Sequence, residues 1–179
     1  MTDPARLSVT ELLREYDTAL AYTDSLWKDL TTDEVRWRPH SDSSAIGWHL
    51  GHQAAVAHYM VRNLTAAERP IDEHIDALMD SATEETQRGD LPDLAAIESY
   101  RSTVAERVRF RAGNIDAGKV GAPAQLRRVA ETMLTAIVNH EYQHAKWVGE
   151  VRNQQFGHAL PEVPTSHNLI ELDGYVILR

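Results

Sequence analysis

The feature that most constrains the fold is a long amphipathic segment near the C-terminus, PAQLRRVAETMLTAIVNHEYQHAKWVGEVRNQQF, residues 123–156. Its apolar residues recur at helical spacing, which predicts a single long helix ended by Gly157. A helix with one apolar face must bury that face against other elements. The segment therefore predicts a fold built by helix packing.

Two earlier segments show the same helical periodicity. Ser8 and Glu11 form a capping-box pair at the start of a helix that we expect to run to about Leu30. A second helix is predicted for AIGWHLGHQAAVAHYMVRNL, residues 45–64. Gly51 weakens this helix locally and would allow a neighbouring element to approach it closely.

A third long helix is expected between Asp90, which is suited to cap its first turn, and Gly113, which is placed to end it. Residues 65–90 before it predict a loop with a short helix around IDEHIDALMD. No strand pattern separates the four long helices. The predicted fold class is therefore all-α, an antiparallel four-helix bundle.

The final segment, NLIELDGYVILR, differs in kind from the helical ones. Two apolar runs flank Asp173 and Gly174, a dipeptide suited to a tight turn, which predicts a short C-terminal β-hairpin. We therefore expect a single domain over residues 1–179, with the bundle at about 8–156 and an extension at 157–179.

The composition limits the chemistry open to the chain. The absence of cysteine excludes disulfides, thiolate nucleophiles and Cys-based metal sites, so a soft-metal site must be built from histidine. The net charge of -9 gives no general attraction to nucleic acid or to anionic membranes, and neither is an expected partner. Because no leader-like or bilayer-spanning segment is evident, we expect a cytoplasmic protein.

His140 and His144 interrupt the apolar stripe of the long helix at a spacing of four residues. This spacing places both imidazoles on one face, about 6 Å apart at Cβ, a geometry suited to one metal ion. With Glu141 they also match the H-E-x-x-H pattern of zinc metalloproteases. The protease interpretation is disfavoured because Trp147 stands where the extended motif needs glycine, and Glu150 where it needs a third histidine.

A third ligand is available on the second helix. His52 falls on a mostly apolar face there, and His49 is its main rival because it lies nearby on nearly the same face. Glu162 and Glu171 are the downstream carboxylates that a protease would use, but they lack a helix to present them. Three histidines from facing helices would leave coordination positions open for water and substrate, as in catalytic sites.

Two stretches together resemble a known family. VRWRPHSDSSAIGWHLGHQAAV and NHEYQHAKWVGEVR are similar to the DinB-like superfamily of metal-binding four-helix bundles, and to the N-terminal domain of the ergothioneine-pathway sulfoxide synthases. The family pattern is a Trp-x-Pro segment, one histidine on a helix, and H-x-x-x-H in the last long helix. Trp37 and Pro39, then His52, then His140 and His144 match these elements. The resemblance implies that the three histidines bind one divalent metal ion.

The resemblance also implies several chemistries. Some members are zinc-dependent enzymes that act with low-molecular-weight thiols, including mycothiol-dependent isomerases and thiol S-transferases, whereas the sulfoxide synthases use iron and oxygen. The length of this chain favours a stand-alone thiol S-transferase that acts on a small electrophilic molecule, with a low-molecular-weight thiol as cosubstrate. Three other functions stay open: a hydrolase, an iron oxygenase-like domain and a non-catalytic metal-binding bundle. A homodimer is one expectation for the assembly. Zinc or nickel is the expected metal, with iron as the alternative, because imidazole suits all three.

Side chains near the histidines are candidates for supporting roles. Glu141 points about 100° away from the preceding histidine around the helix, which favours a place behind the ligands or on the surface over a role as catalytic base. Trp48, Tyr59 and Trp147 are candidates to line a substrate pocket. Arg62 and Arg152 are candidates to attract an anionic substrate.

Overall fold

The computed structural model describes residues 6–65, 68–85 and 90–179, and these residues are mostly helical. In chain order the elements are α1 (Val9–Trp27), α2 (Thr32–Arg36), α3 (Ile46–Thr65), α4 (Glu73–Leu78), α5 (Leu94–Asp116), α6 (Pro123–Phe156), β1 (Leu169–Leu172) and β2 (Tyr175–Leu178). The strands pair as an antiparallel hairpin. The prediction of an all-α bundle with a C-terminal hairpin is confirmed.

The long helices bury their apolar faces against one another. α1 packs chiefly against α6, and α3 packs against both α5 and α6. Leu12 and Tyr16 of α1, Val104 of α5 and Leu134 of α6 all lie in the main core. Within the described residues, no helix is both long enough and apolar enough to cross a bilayer. Because α3 and α6 are direct neighbours, inward side chains of these two helices can meet.

The connection between the first two predicted helices contains a short helix that the periodicity did not predict. α1 ends at Trp27, before the expected Leu30, and α2 begins at Thr32. Thr31 is extended, and its side chain accepts a hydrogen bond from the backbone of Glu34 while the Glu34 carboxylate accepts from the backbone of Thr31. This capping box begins α2 as a separate helix, because an extended Thr31 cannot belong to a helix that continues from α1.

Both predicted ends of the third long helix were wrong. Asp93 caps α5, its carboxylate accepting from the Ala96 amide at 2.7 Å, so the helix begins later than Asp90 would place it. At the other end Gly113 stays helical, and the left-handed glycine that follows the last turn is Gly118, with φ 70°. Of the loop predicted just before this helix, residues 66–67 and 86–89 lie outside the described ones.

The C-terminal elements follow the sequence more closely. Gly157, with φ 70°, ends α6 as predicted. Asp173 and Gly174 both have positive φ, 51° and 77°, the conformation that a two-residue hairpin turn of the primed type requires. The backbone amide of Leu178 donates to Oδ1 of Asn139 at 2.7 Å, which fixes the hairpin on α6.

Candidate metal centre

α3 and α6 bring three histidines together in the interior. His52 comes from α3, His140 and His144 come from α6, and one ring nitrogen from each lies within 4.8 Å of the others. His52 and His144 are buried, and His140 is half-buried. We call these residues the histidine triad. A group of this kind can hold one metal ion, which agrees with the expectation from the sequence.

The hydrogen bonds of the triad bear on which ring nitrogens can bind a metal. Nδ1 of His52 lies 2.7 Å from the carbonyl oxygen of Met79, which can only accept, so Nδ1 carries the hydrogen and Nε2 keeps its lone pair. The Nε2 atoms of His140 and His144 are 3.0 Å apart. Two nitrogens bound to one tetrahedral zinc ion lie about 3.3 Å apart, so the triad fits a metal with little movement.

His49 lies behind the triad. Its Nδ1 atom is 2.8 Å from Nδ1 of His144, on the far side of that ring from His140, and its ring also packs against Trp147 at a centroid distance of 5.5 Å. The group that can hold a metal contains His52 and does not contain His49. The geometry therefore favours His52 over its rival as the third ligand.

Burial keeps His140 and His144 in the state that metal binding needs. Desolvation, reinforced by the neighbouring His52, lowers the pKa of His140 to about 4. Desolvation, with His140, His49 and His52 close by, lowers the pKa of His144 to about 2. A buried imidazole resists protonation because the charged form loses its hydration. Both rings are neutral near pH 7, and a neutral ring is the form that binds a metal.

Glu141 belongs to a buried ion pair that the sequence did not predict. Its carboxylate accepts from Nη2 of Arg101 at 2.9 Å, and both side chains are about 5% exposed or less. Arg101 also donates to Oε1 of Gln53, and Gln53 donates to the Glu141 carbonyl oxygen. The surface placement expected as one option for Glu141 is therefore wrong, and its contacts join α3, α5 and α6. The sequence contained a signal for this buried pair, because Arg101 lies in the same buried stripe of α5 as Ile97.

The short helix α4 supplies the carbonyl that orients His52. Met79, at the C-cap of α4, is fully buried against α3, where Gly51 provides the space. A Cβ atom on Gly51 would lie 2.4 Å from the Met79 sulfur. The close approach expected at this glycine is therefore seen, and it explains how the Met79 carbonyl reaches Nδ1 of His52.

The aromatic candidates occupy different places. The Trp48 ring stacks on His52 at 4.4 Å, and the Trp147 ring contacts His144 edge-on at 4.9 Å, so both brace imidazoles. Tyr59 is 67% exposed and lines a cleft beside the triad. Their contacts with a substrate stay predictions.

That cleft, which we call the α3–α4 groove, has a volume of about 620 Å³ and reaches the triad only at His52. Its lining residues come from α3, from α4 and from the residues just after α4: His52, Ala55, Val56, His58, Tyr59, Arg62, Asp76, Ala77, Met79, Asp80 and Ser81. A small molecule bound in this groove would end next to the triad, which makes the groove a candidate substrate pocket.

Arg152 and Trp37 lie near the end of α6, away from the groove lining. The guanidinium of Arg152 donates to both carboxylate oxygens of Asp29 and to the carbonyl oxygens of Leu26 and Ala159. These bonds favour a structural role, so a substrate contact by Arg152 stays a prediction. Trp37 of the Trp-x-Pro segment packs edge-on against Phe156 at 5.7 Å.

The bundle and the triad define a class of protein: helical bundles with a buried three-histidine group able to hold a metal ion. The sequence model of the DinB superfamily matches residues 15–148, which include all three histidines. The chain belongs to the DinB superfamily. No curated protein matches the chain.

Proposed function

We propose that this protein is a metal-dependent transferase that holds one divalent ion with His52, His140 and His144 and uses it to activate a low-molecular-weight thiol toward a small electrophile. The observation that carries the proposal is the set of converging nitrogens in a chain without cysteine. Three protein ligands leave a coordination position open, so the attacking sulfur would have to come from a cosubstrate.

The metal, when bound, supplies Lewis acidity that lowers the pKa of a thiol or water reaching its open position. Zinc and nickel are the ions we propose first, because imidazole ligands suit both, and iron is the alternative.

The residues around the triad would fix its tautomers. The Met79 carbonyl holds the hydrogen of His52 on Nδ1, which presents Nε2 to the metal. If Nε2 of His144 also binds the metal, its Nδ1 carries the hydrogen and donates to Nδ1 of His49. His49 would then keep its own hydrogen on Nε2, and it would act as a positioning residue for His144.

The test compares metal content and activity in wild type, His52→Ala and His74→Ala. His74 is an exposed histidine of α4 and serves as the matched control. We expect about one metal ion per chain in wild type and in His74→Ala, and a large loss in His52→Ala, because removing one of three ligands weakens binding strongly. Turnover of a thiol with an electrophile such as chlorodinitrobenzene should follow the metal content.

The outcomes separate the alternatives. If His52→Ala retains its metal in full, the triad is not the site. If metal is lost from the variant but wild type shows no turnover with any thiol, the metal is structural or sensory. Turnover that requires oxygen and iron would replace the transferase proposal with an oxygenase.

A further inference from the structure

The α3–α4 groove carries opposite charges on its two sides. Arg62 projects from α3. On the other side, Asp76 lies in α4 and Asp80 follows the C-cap residue of α4. Arg62 and Asp80 form no ion pair with each other or with any other described residue. Each of these charges can therefore pair with an ion of opposite sign that enters the cleft.

Polar atoms along the groove also lack partners. Nε of Arg62 has no acceptor among the described residues. Asp76 accepts a hydrogen bond from the Tyr100 hydroxyl on Oδ1, but its Oδ2 atom receives none from a described residue. The Asp80 carboxylate is exposed, and its Oδ1 atom accepts from the Ala82 amide. A buried polar atom without a partner is costly, and a ligand with complementary charges would reduce that cost.

The walls of the groove are fixed before any ligand binds. The Met79 carbonyl oxygen accepts from His52, and the Leu78 carbonyl oxygen accepts from Nε1 of Trp48 at 3.1 Å. Asp76 is held to α5 by Tyr100. These contacts tie α4 to α3 and α5, so a ligand would meet a preorganised cleft.

The groove has a defined length and an apolar middle. Arg62 lies ten residues after His52 on the same helix, which corresponds to a rise of about 15 Å along the helix axis. Ala55, Val56 and Met79 line the space between them. Tyr59, largely exposed, stands at the rim beside Arg62.

We propose that the groove binds a zwitterionic ligand with an α-amino-acid head group and an apolar tail. The carboxylate pairs with Arg62, the ammonium pairs with the acidic side formed by Asp76 and Asp80, and the tail runs toward His52. A ligand with one charge would satisfy one side of the groove and leave the other unpaired. The inference rests on the proposed function in one respect, because it assigns this head group to a substrate that reacts at the triad.

Three ligands of equal length test the proposal: norleucine, hexanoate, which lacks the ammonium, and pentylamine, which lacks the carboxylate. Affinities are measured by ligand-observed NMR on the metal-loaded full chain. We expect norleucine to bind at least tenfold more tightly than either half-ligand. Arg62→Met should weaken norleucine about tenfold and leave pentylamine unchanged, whereas Asp80→Asn should weaken norleucine and leave hexanoate unchanged.

Arg128→Met is the matched control, because Arg128 is a largely exposed arginine of α6 outside the groove. Equal affinity for the three ligands, or equal effects of Arg62→Met and Arg128→Met, would overturn the proposal. These measurements do not depend on turnover. Selective norleucine binding without thiol transfer supports the groove and refutes the proposed function. Selective binding together with thiol transfer that norleucine cannot inhibit supports both and refutes only the assignment of the groove to the substrate of the triad.

Discussion

The buried pair of Arg101 and Glu141 gives the sharpest test of what the H-E-x-x-H motif does here. The guanidinium donates to Glu141 at 2.9 Å, to Oε1 of Gln53 at 3.0 Å and to the Leu50 carbonyl oxygen at 2.8 Å. Arg101→Met removes these donors and leaves a carboxylate that is 3% exposed without its cation. Breaking one side of a buried ion pair costs about 3–5 kcal/mol.

The assay is urea unfolding at pH 7, with wild type and variants all saturated with the same metal. With an m value of about 2 kcal/mol per M, a loss of about 4 kcal/mol lowers the midpoint by about 2 M. Arg101→Met combined with Glu141→Met should recover most of the loss, because an apolar pair of similar volume replaces a buried ion pair at little cost. This recovery distinguishes a broken ion pair from general damage to the core.

Two results would refute this reasoning. The first is an Arg101→Met variant within about 1 kcal/mol of wild type, the range measured for exposed ion pairs. The second is a double variant as unstable as the sum of the single ones. The Glu141→Gln variant separates two roles of this residue. If Glu141 were the base of a protease, the variant would lose activity at unchanged stability. If Glu141 is structural, the variant loses stability and keeps the metal.

Two further predictions concern pH and packing. In the metal-free protein the lowered pKa values of His140 and His144 mean that the unfolded chain binds more protons below about pH 6.5. The stability of this protein should fall by about 1.4 kcal/mol per pH unit for each histidine between about pH 6 and pH 4. In urea unfolding, a His140→Gln, His144→Gln variant should lose stability less steeply with falling pH than wild type. Equal pH dependence in the two proteins would contradict the lowered pKa values. Gly51→Ala should destabilise the fold by about 1–3 kcal/mol and weaken metal binding, because the new methyl group displaces Met79 and its carbonyl. Unchanged melting temperature and metal affinity would show that Met79 moves aside freely.

Features set by neighbours in the chain were readable from the sequence. The pairing of His140 with His144 depends only on the helical repeat, and the turn at Asp173 and Gly174 depends on two residues that tolerate positive φ. The capping box of Thr31 and Glu34 was also present in the sequence, but α2 has only five residues, too few to show a helical periodicity.

Features that join distant segments required the tertiary structure. The rotation of α3 against α6 decides that His52 faces the pair on α6 while His49 lies behind His144. Likewise, Glu141 meets Arg101 only because α5 packs beside α6, so its motif position could not reveal a structural role.

By itself, the sequence determined the helical class, the histidine pair on the last helix and the exclusion of cysteine chemistry, because periodicity, spacing and composition are local properties. Only the tertiary structure decided which third histidine completes the group, and which backbone carbonyl orients it. The physical reason is that packing across the whole core sets which face of each helix points inward. Burial and available space then decide which side chains meet, as between Gly51 and Met79.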